Sequence, residues 1–312
     1  MTGGRARTVF IGSGGFGRES LRRLAGDDDV ELVGVVTAPP RPAGRHGRPT
    51  STPIHHASGE LGLGPILTPE RLRTPESTAA VLALRPDLIV LADYGQIVPD
   101  GLLGVRHGAL NLHPSLLPRH RGATPIQATI LAGDPETGVT LIVMDEGLDT
   151  GPIVAQQVIP LRGDEVTPEL EGELAAAAGG LLATTLGGWL RGEVEARPQP
   201  EEGATLTRPL RRADGRMDVS RSASELERQV RAYQPWPGSF VDTVVGRLIV
   251  RKAEAAVSAD GPIPGTFDLE GIGVGDGGRL RLIEVQPAGG RPMSWEAFVR
   301  GRPAIVGSSI VR

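Results

Sequence analysis

The sequence predicts an α/β protein: a largely parallel sheet covered on both faces, followed by a smaller β-barrel-like domain. Two observations carry this. From Thr8 to Leu190, short apolar runs alternate with helical segments, the pattern of strands joined by helical crossovers. After Trp189 a polar, proline-containing stretch interrupts the pattern, and beyond it one helix precedes several short strands with Gly and Pro turns.

Thr8 to Gly12 reads as a first buried strand, Phe16 to Leu24 as a helix and Val30 to Val36 as a second strand. The loop from Thr37 to Pro53 holds five prolines, which block both helix and central strand. Leu88 to Ala92 and Ala109 to His113 are short strands. Ile126 to Ala132 is helical, with Pro125 near its first turn. Val139 to Met144 is a strand, and Leu170 to Leu190 is a long helix rich in Ala and Leu. Beyond the break come a helix, Ala223 to Ala232, and strands at Phe240–Val245, Arg247–Lys252, Gly271–Val274 and Leu280–Gln286. The expected division is a catalytic domain over 1–190, a linker over 191–208 and a C-terminal domain over 209–312.

Composition excludes several classes of chemistry. The chain of 312 residues has no cysteine, so disulfides, thiolate nucleophiles and Cys-built metal sites are ruled out. It has no apolar stretch of the roughly 18 residues a membrane span needs, and its N-terminus lacks the pattern of a secretion signal, so a cytoplasmic protein is expected. The net charge of −4 argues against a broad nucleic-acid-coating surface, and no DNA partner is expected. Charge is uneven, however. Residues 1–208 carry 18 Lys+Arg against 25 Asp+Glu; residues 209–312 carry 15 against 12. Val35 to Gly59 contains no acid but holds Arg41, Arg45, His46, Arg48, His55 and His56. Such a loop suits a local phosphate contact, or is an ordinary solvated loop.

Gly12-Ser13-Gly14-Gly15-Phe16-Gly17 follows the first strand and opens a helix. The run comes near a dinucleotide fingerprint, but its spacing is wrong, and the second strand ends at Thr37 rather than at an acid for a ribose. Close backbone packing is the competing explanation.

The chemistry is concentrated in Asn111-Leu112-His113-Pro114-Ser115-Leu116-Leu117-Pro118 and in Asp145-Glu146-Gly147-Leu148-Asp149-Thr150-Gly151. Positions i and i+2 of a strand share a face, so Asn111 and His113 can aim an amide and an imidazole at one point. Asp149 follows the next strand, and a carboxylate there would orient the imidazole. Metal binding is not expected, because this cluster offers too few ligands. No nucleophile elbow surrounds Ser115.

These residues, with Arg41-Pro42-Ala43-Gly44-Arg45, Tyr94-Gly95-Gln96-Ile97-Val98-Pro99, Arg119 to Gln127, Asp214 to Asp218, Pro235-Trp236-Pro237-Gly238 and Leu282 to Ala288, resemble the methionyl-tRNA formyltransferases along nearly the whole chain. The resemblance implies a Rossmann-like formyltransferase domain without a nicotinamide cofactor, then an OB-fold-like barrel that binds tRNA. It implies 10-formyltetrahydrofolate as donor, the α-amine of methionyl initiator tRNA as acceptor, and no metal. It places the catalytic set on Asn111, His113 and Asp149, and folate contacts on Ser115, Leu116, Leu117 and Pro118. Apolar Ile97, with Leu116 and Leu117, can line a slot for the pteridine or be ordinary core, and Tyr94 and Gln96 beside it are further folate-contact candidates. The resemblance places tRNA contacts on Arg41, Arg45, His46 and Arg48, to which the basic C-terminal domain adds Arg247, Arg251 and Lys252. A monomer is expected. The first turn departs from the family's G-T-P-x-F, Pro40 stands where the family has an acid before the basic loop, and arginines replace lysines near the D-G-R stretch. The rival acceptor is an amino sugar nucleotide; the rival class is a folate- or tRNA-binding protein without catalysis.

Overall fold

The computed structural model describes residues 4–43, 47–256 and 261–311. Its backbone forms two compact units. The first comprises Met1–Pro125, Glu136–Pro160 and Glu171–Thr207; the second comprises Ile126–Pro135, Leu161–Leu170 and Arg208–Arg312.

The first unit is built on a seven-stranded sheet. In chain order its elements begin with β1 (Ala6–Gly12), α1 (Gly17–Ala25), β2 (Val30–Val36), β3 (Arg41–Ala43), β4 (Arg48–Thr50), α2 (Pro53–Glu60), β5 (Ile66–Leu67), α3 (Pro75–Leu82), β6 (Leu88–Ala92) and β7 (Ala109–His113). They continue with β8 (Arg121–Gly122), β9 (Glu136–Val143), β10 (Ile153–Pro160), α5 (Thr167–Leu190, from Glu171 on) and β11 (Leu206–Thr207), while α4 (Pro125–Ala132), between β8 and β9, belongs from Ile126 on to the second unit. The strand order is β10-β9-β7-β6-β1-β2-β5. From β7 to β5 all pairs are parallel, whereas β9 lies antiparallel to both β7 and β10. The sheet is therefore mixed at one side. Strands β6 and β7 are buried along their whole length, as expected of central strands covered on both faces. Helices α2 and α3 start where the sequence dictates: Thr52 and Thr74 accept the His55 and Ser77 amides, and Pro53 and Pro75 occupy the first turn.

The glycine-rich turn after β1 is explained by close packing. The Ser13 and Gly14 amides donate to the Asp93 carbonyl at 2.8 and 3.3 Å. A side chain at Gly14 would overlap the Asp93 carboxylate, and one at Gly12 would come within 2.6 Å of the Ala92 carbonyl.

In the second unit, α6 (Ala223–Ala232) precedes β12 (Ser239–Thr243), β13 (Gly246–Ala256), β14 (Gly271–Gly273), β15 (Arg279–Pro287), β16 (Met293–Ser294) and α7 (Trp295–Gly301). The expected closed barrel is not formed. The strands follow the order β12-β13-β15-β14, with β16 added to β15, and among the described residues β12 and β14 do not pair. The result is an open, curled half-barrel. Closure requires edge strands long enough to exchange hydrogen bonds, and β14 has only three residues. Bulges in β13 around Lys252 bend the sheet, and α6 covers one face of β13 and β15. The core lies there, with Leu226, Val230, Val250, Leu282, Trp295 and Phe298 all buried.

Candidate active site

The end of β7 and the loop after β9 bring Asn111, His113 and Asp149 together. Asn111 Nδ2 donates to Asp149 Oδ1 at 3.1 Å. His113 Nδ1 lies 3.6 Å from Asp149 Oδ2. That oxygen also accepts the Gly122 amide at 2.8 Å. On the far side of the ring, His113 Nε2 donates to the His120 carbonyl at 2.9 Å. All three side chains are nearly enclosed: Asn111 is 7% and His113 4% exposed, and the Asp149 side chain 13%. Asn111 Nδ2 carries two hydrogens, and the Asp149 bond uses one, leaving the second for another oxygen.

Local backbone geometry makes the convergence possible. Asp149 has φ +55°, a left-handed conformation that short polar side chains tolerate better than others. A side chain at Gly151 would run into the Val143 carbonyl, so the loop can lie against β9 only with glycine there. The Asp149 and Gly151 carbonyls accept from Gln199 Nε2 at 2.8 and 2.7 Å. His120 and Gly122, from the Arg119–Gln127 stretch that sequence reasoning left without a role, also reach this centre, as does Gln199, which no sequence signal singles out.

The folate-contact candidates fall into two groups. Tyr94, Gln96 and Ile97 line a cleft of about 600 Å3 with Ser13, Ala38, Arg41, Glu70, Arg71 and Arg73. Ile97 is 73% exposed, while the Gln96 side chain bonds the Leu72 amide. Tyr94 is buried, which pushes its phenol up to about 12. Its hydroxyl has no hydrogen-bond partner among the described residues. The second group, Ser115 to Pro118, is knitted into the sheet instead. Ser115 Oγ donates to the Arg119 carbonyl, and the Leu117 amide donates to Thr140 Oγ1. Ser115 and Leu117 are buried; Leu116 and Pro118 are half-buried.

Of the cationic candidates, Arg41 pairs with Glu70 at 2.5 Å and Arg48 is exposed on β4. Arg45 and His46 lie outside the described residues. In the second unit Arg247 pairs with Asp242 and Arg251 with Glu284, both at 2.8 Å, and Lys252 is exposed. Exposed ion pairs of this kind are weak, so phosphate can displace the acids. Among the described residues no group of three or more His, Asp or Glu is placed to hold a metal, and no helix is long and apolar enough to cross a membrane.

Two carboxylates stand behind the glycine-rich turn. Asp93 keeps surface open to solvent, but protein crowds its carboxylate on the other sides, and this burial raises its pKa. Burial likewise raises Glu171, and the charge of Asp93 adds to the effect. A folded carboxyl that keeps its proton to higher pH favours folding most at low pH, and that contribution is lost as pH rises through the folded value. Asp93→Asn is therefore expected to be more resistant to urea than the parent at pH 7.5, with the difference vanishing below about pH 4. Asn also accepts the positive φ of 55° found at this position. Equal urea midpoints at both pH values would contradict this.

Residues 6–186 match the formyl transferase family model, and residues 209–303 match the formyl transferase C-terminal domain model. A methionyl-tRNA formyltransferase of Roseiflexus castenholzii is 43% identical over 302 residues, covering 95% of this chain and 96% of the relative. That of Myxococcus xanthus is 41% identical over 309 residues, covering 97% of each. The chain belongs to the methionyl-tRNA formyltransferase family. It is a formyltransferase, with catalytic and C-terminal parts arranged in the family's order. Solved structures share the fold at much lower identity. The Helicobacter canadensis N-formyltransferase bound to folinic acid and dTDP-3-aminofucose superposes with a TM-score of 0.63 at 15% identity, covering 89% of this chain and 98% of its own. HypX from Aquifex aeolicus with tetrahydrofolic acid also gives 0.63, at 18% identity, covering 95% of this chain and 47% of its own.

Proposed function

We propose that the chain transfers the formyl group of 10-formyltetrahydrofolate to the α-amine of methionyl initiator tRNA, using Asn111, His113 and Asp149. The observation that carries this reading is the convergence of those three side chains on one enclosed point, in a chain matched end to end by methionyl-tRNA formyltransferases. The cleft at Tyr94–Ile97 suits a folate head group: its volume lies within the usual ligand range, and Tyr94, Gln96 and the exposed Ile97 form part of its wall. The folate supplies the formyl group. Asn111 donates its second amide hydrogen to the formyl oxygen as negative charge develops there. His113 is held by the His120 carbonyl, which accepts from Nε2, and its Nδ1 faces the Asp149 carboxylate at 3.6 Å. Asp149 keeps that ring in register and helps pass the proton lost by the attacking amine to the folate nitrogen, whose bond to the formyl carbon breaks as the new C–N bond forms. The water-poor surroundings strengthen each of these interactions.

Acceptor choice rests on Arg41, Arg45, His46 and Arg48 at the basic loop and on Arg247, Arg251 and Lys252 of the second unit, which meet the phosphates of the acceptor arm. The reading carries with it a cytoplasmic monomer that serves translation initiation. Its test is formyl transfer to methionyl initiator tRNA, beside elongator methionyl-tRNA and an amino sugar nucleotide. Transfer to initiator tRNA alone is the expected result. Transfer only to the sugar would keep the chemistry and reassign the acceptor.

A further inference from the structure

We propose that Gln199 is a positioning residue for the catalytic aspartate, and that Arg197–Thr207 belongs to the active-site framework rather than acting as a connector. The proposal rests on the reading of Asp149 as catalytic.

Gln199 uses both ends of its amide. Its Nε2 donates to the Asp149 and Gly151 carbonyls at 2.8 and 2.7 Å, straddling Thr150. Its Oε1 accepts from Arg121 Nε at 3.0 Å. The two carbonyls flank Thr150 in the turn where Asp149 takes its left-handed backbone, a conformation that is strained for a non-glycine residue and persists when its surroundings over-determine it. A planar amide bonded at both ends supplies that determination.

The same segment also holds the imidazole side of the centre. Arg197 and Ile153 exchange amide–carbonyl bonds of 2.7 and 2.8 Å just beyond the catalytic loop. Thr205 Oγ1 accepts the His120 amide at 2.8 Å, and the Thr205 carbonyl accepts the Arg121 amide at 2.9 Å. Strand β11 pairs with β8 in parallel. His120 provides the carbonyl that receives His113 Nε2, and Gly122 of β8 provides the amide that binds Asp149 Oδ2. One stretch of ten or so residues therefore fixes both partners of the carboxylate–imidazole pair, through Gln199 on one side and Thr205 on the other.

The test uses the full-length chain with Gln199→Leu, which keeps the bulk and loses every bond, and Gln199→Glu, which keeps an acceptor for Arg121 and loses both donors. Expected are kcat falls of about 10–100-fold in each, with KM for donor and acceptor changed less than twofold. In an Asp149→Asn background the same substitutions should have no further effect on kcat, because a residue acting through Asp149 has nothing left to position. A readout independent of turnover is the Gly122 amide resonance, which the Asp149 carboxylate polarises. In both Gln199 variants it should move towards its position in Asp149→Asn. Additive losses in the double variants, a loss confined to KM, or an unmoved Gly122 amide would each overturn the proposal. Absence of formyl transfer by the parent chain would instead count against the functional reading, and the Gly122 resonance would still decide the role of Gln199.

Discussion

Asp149→Asn is expected to fold and to lose about three orders of magnitude in kcat, with little change in KM for either substrate. The argument starts from the bonds of each oxygen. Oδ1 accepts from Asn111 and Oδ2 accepts from Gly122, while His113 Nδ1 lies 3.6 Å from Oδ2. An asparagine fills the same space but has one oxygen and one NH2. With its NH2 towards Gly122, two donors meet; with its NH2 towards Asn111, the Asn111 amide must turn its oxygen inward to accept, and it then no longer presents the same donor to the site. The site thus loses the negative charge that faces the imidazole, and it either holds an unmatched donor pair, which costs about 1–3 kcal/mol of stability, or reorients Asn111. Neither loss falls on the cleft at Tyr94–Ile97, so donor binding should survive. Single-turnover kinetics with saturating donor, beside circular dichroism and thermal unfolding, separate the chemical defect from misfolding. A kcat within tenfold of the parent, in a folded protein, would remove Asp149 from the chemistry.

That centre was legible in the sequence to the extent that it depends on strand periodicity. Asn111 and His113 are two residues apart on β7, and the alternation of a strand puts them on one face. Asp149 was legible because glycines at 147 and 151 mark a loop that must come close to the sheet. What the sequence hid was everything held by long-range bonds from irregular backbone. Gln199 sits in a polar, proline-containing stretch without periodicity, and nothing local distinguishes it from a solvated linker residue; its partners are 48, 50 and 78 residues away. The antiparallel insertion of β9 between β7 and β10 was hidden for the same reason, since an apolar strand reads alike in either direction. The glycine-rich turn was ambiguous between anion binding and close packing until its amides were seen to end on the Asp93 carbonyl. In the second unit the strands could be read from their apolar runs, but closure could not, because it depends on whether the edges β12 and β14 reach each other.

The open edge has an energetic consequence that gives the second large effect, the loss of stability in Trp295→Ala. A closed barrel spreads its cohesion around a ring of strand pairs; here the sheet ends at a three-residue strand, and side-chain packing must supply what closure does not. Trp295 opens α7 beneath the sheet and is 3% exposed, with Phe267 and Phe298 each 1% exposed. Its ring centroid lies 5.6 Å from that of Phe298 and 5.8 Å from that of Phe267, and its indole N–H donates to the Leu269 carbonyl at 3.0 Å. The whole chain has only three Trp and five Phe, so this cluster holds a large share of its aromatic packing. Truncation removes the central ring and leaves a cavity between two others, at a cost of about 3–5 kcal/mol. A unit of this size is stable by about 5–15 kcal/mol, so the variant should shift the urea unfolding of the second unit strongly towards lower concentration. Trp295→Phe should lose less than half as much, since it keeps a stacked ring and gives up the bond to Leu269, an exposed residue whose carbonyl water can satisfy. Circular dichroism in urea measures both variants. A loss below about 1 kcal/mol for Trp295→Ala would mean that the strand pairs hold the half-barrel without its aromatic filling.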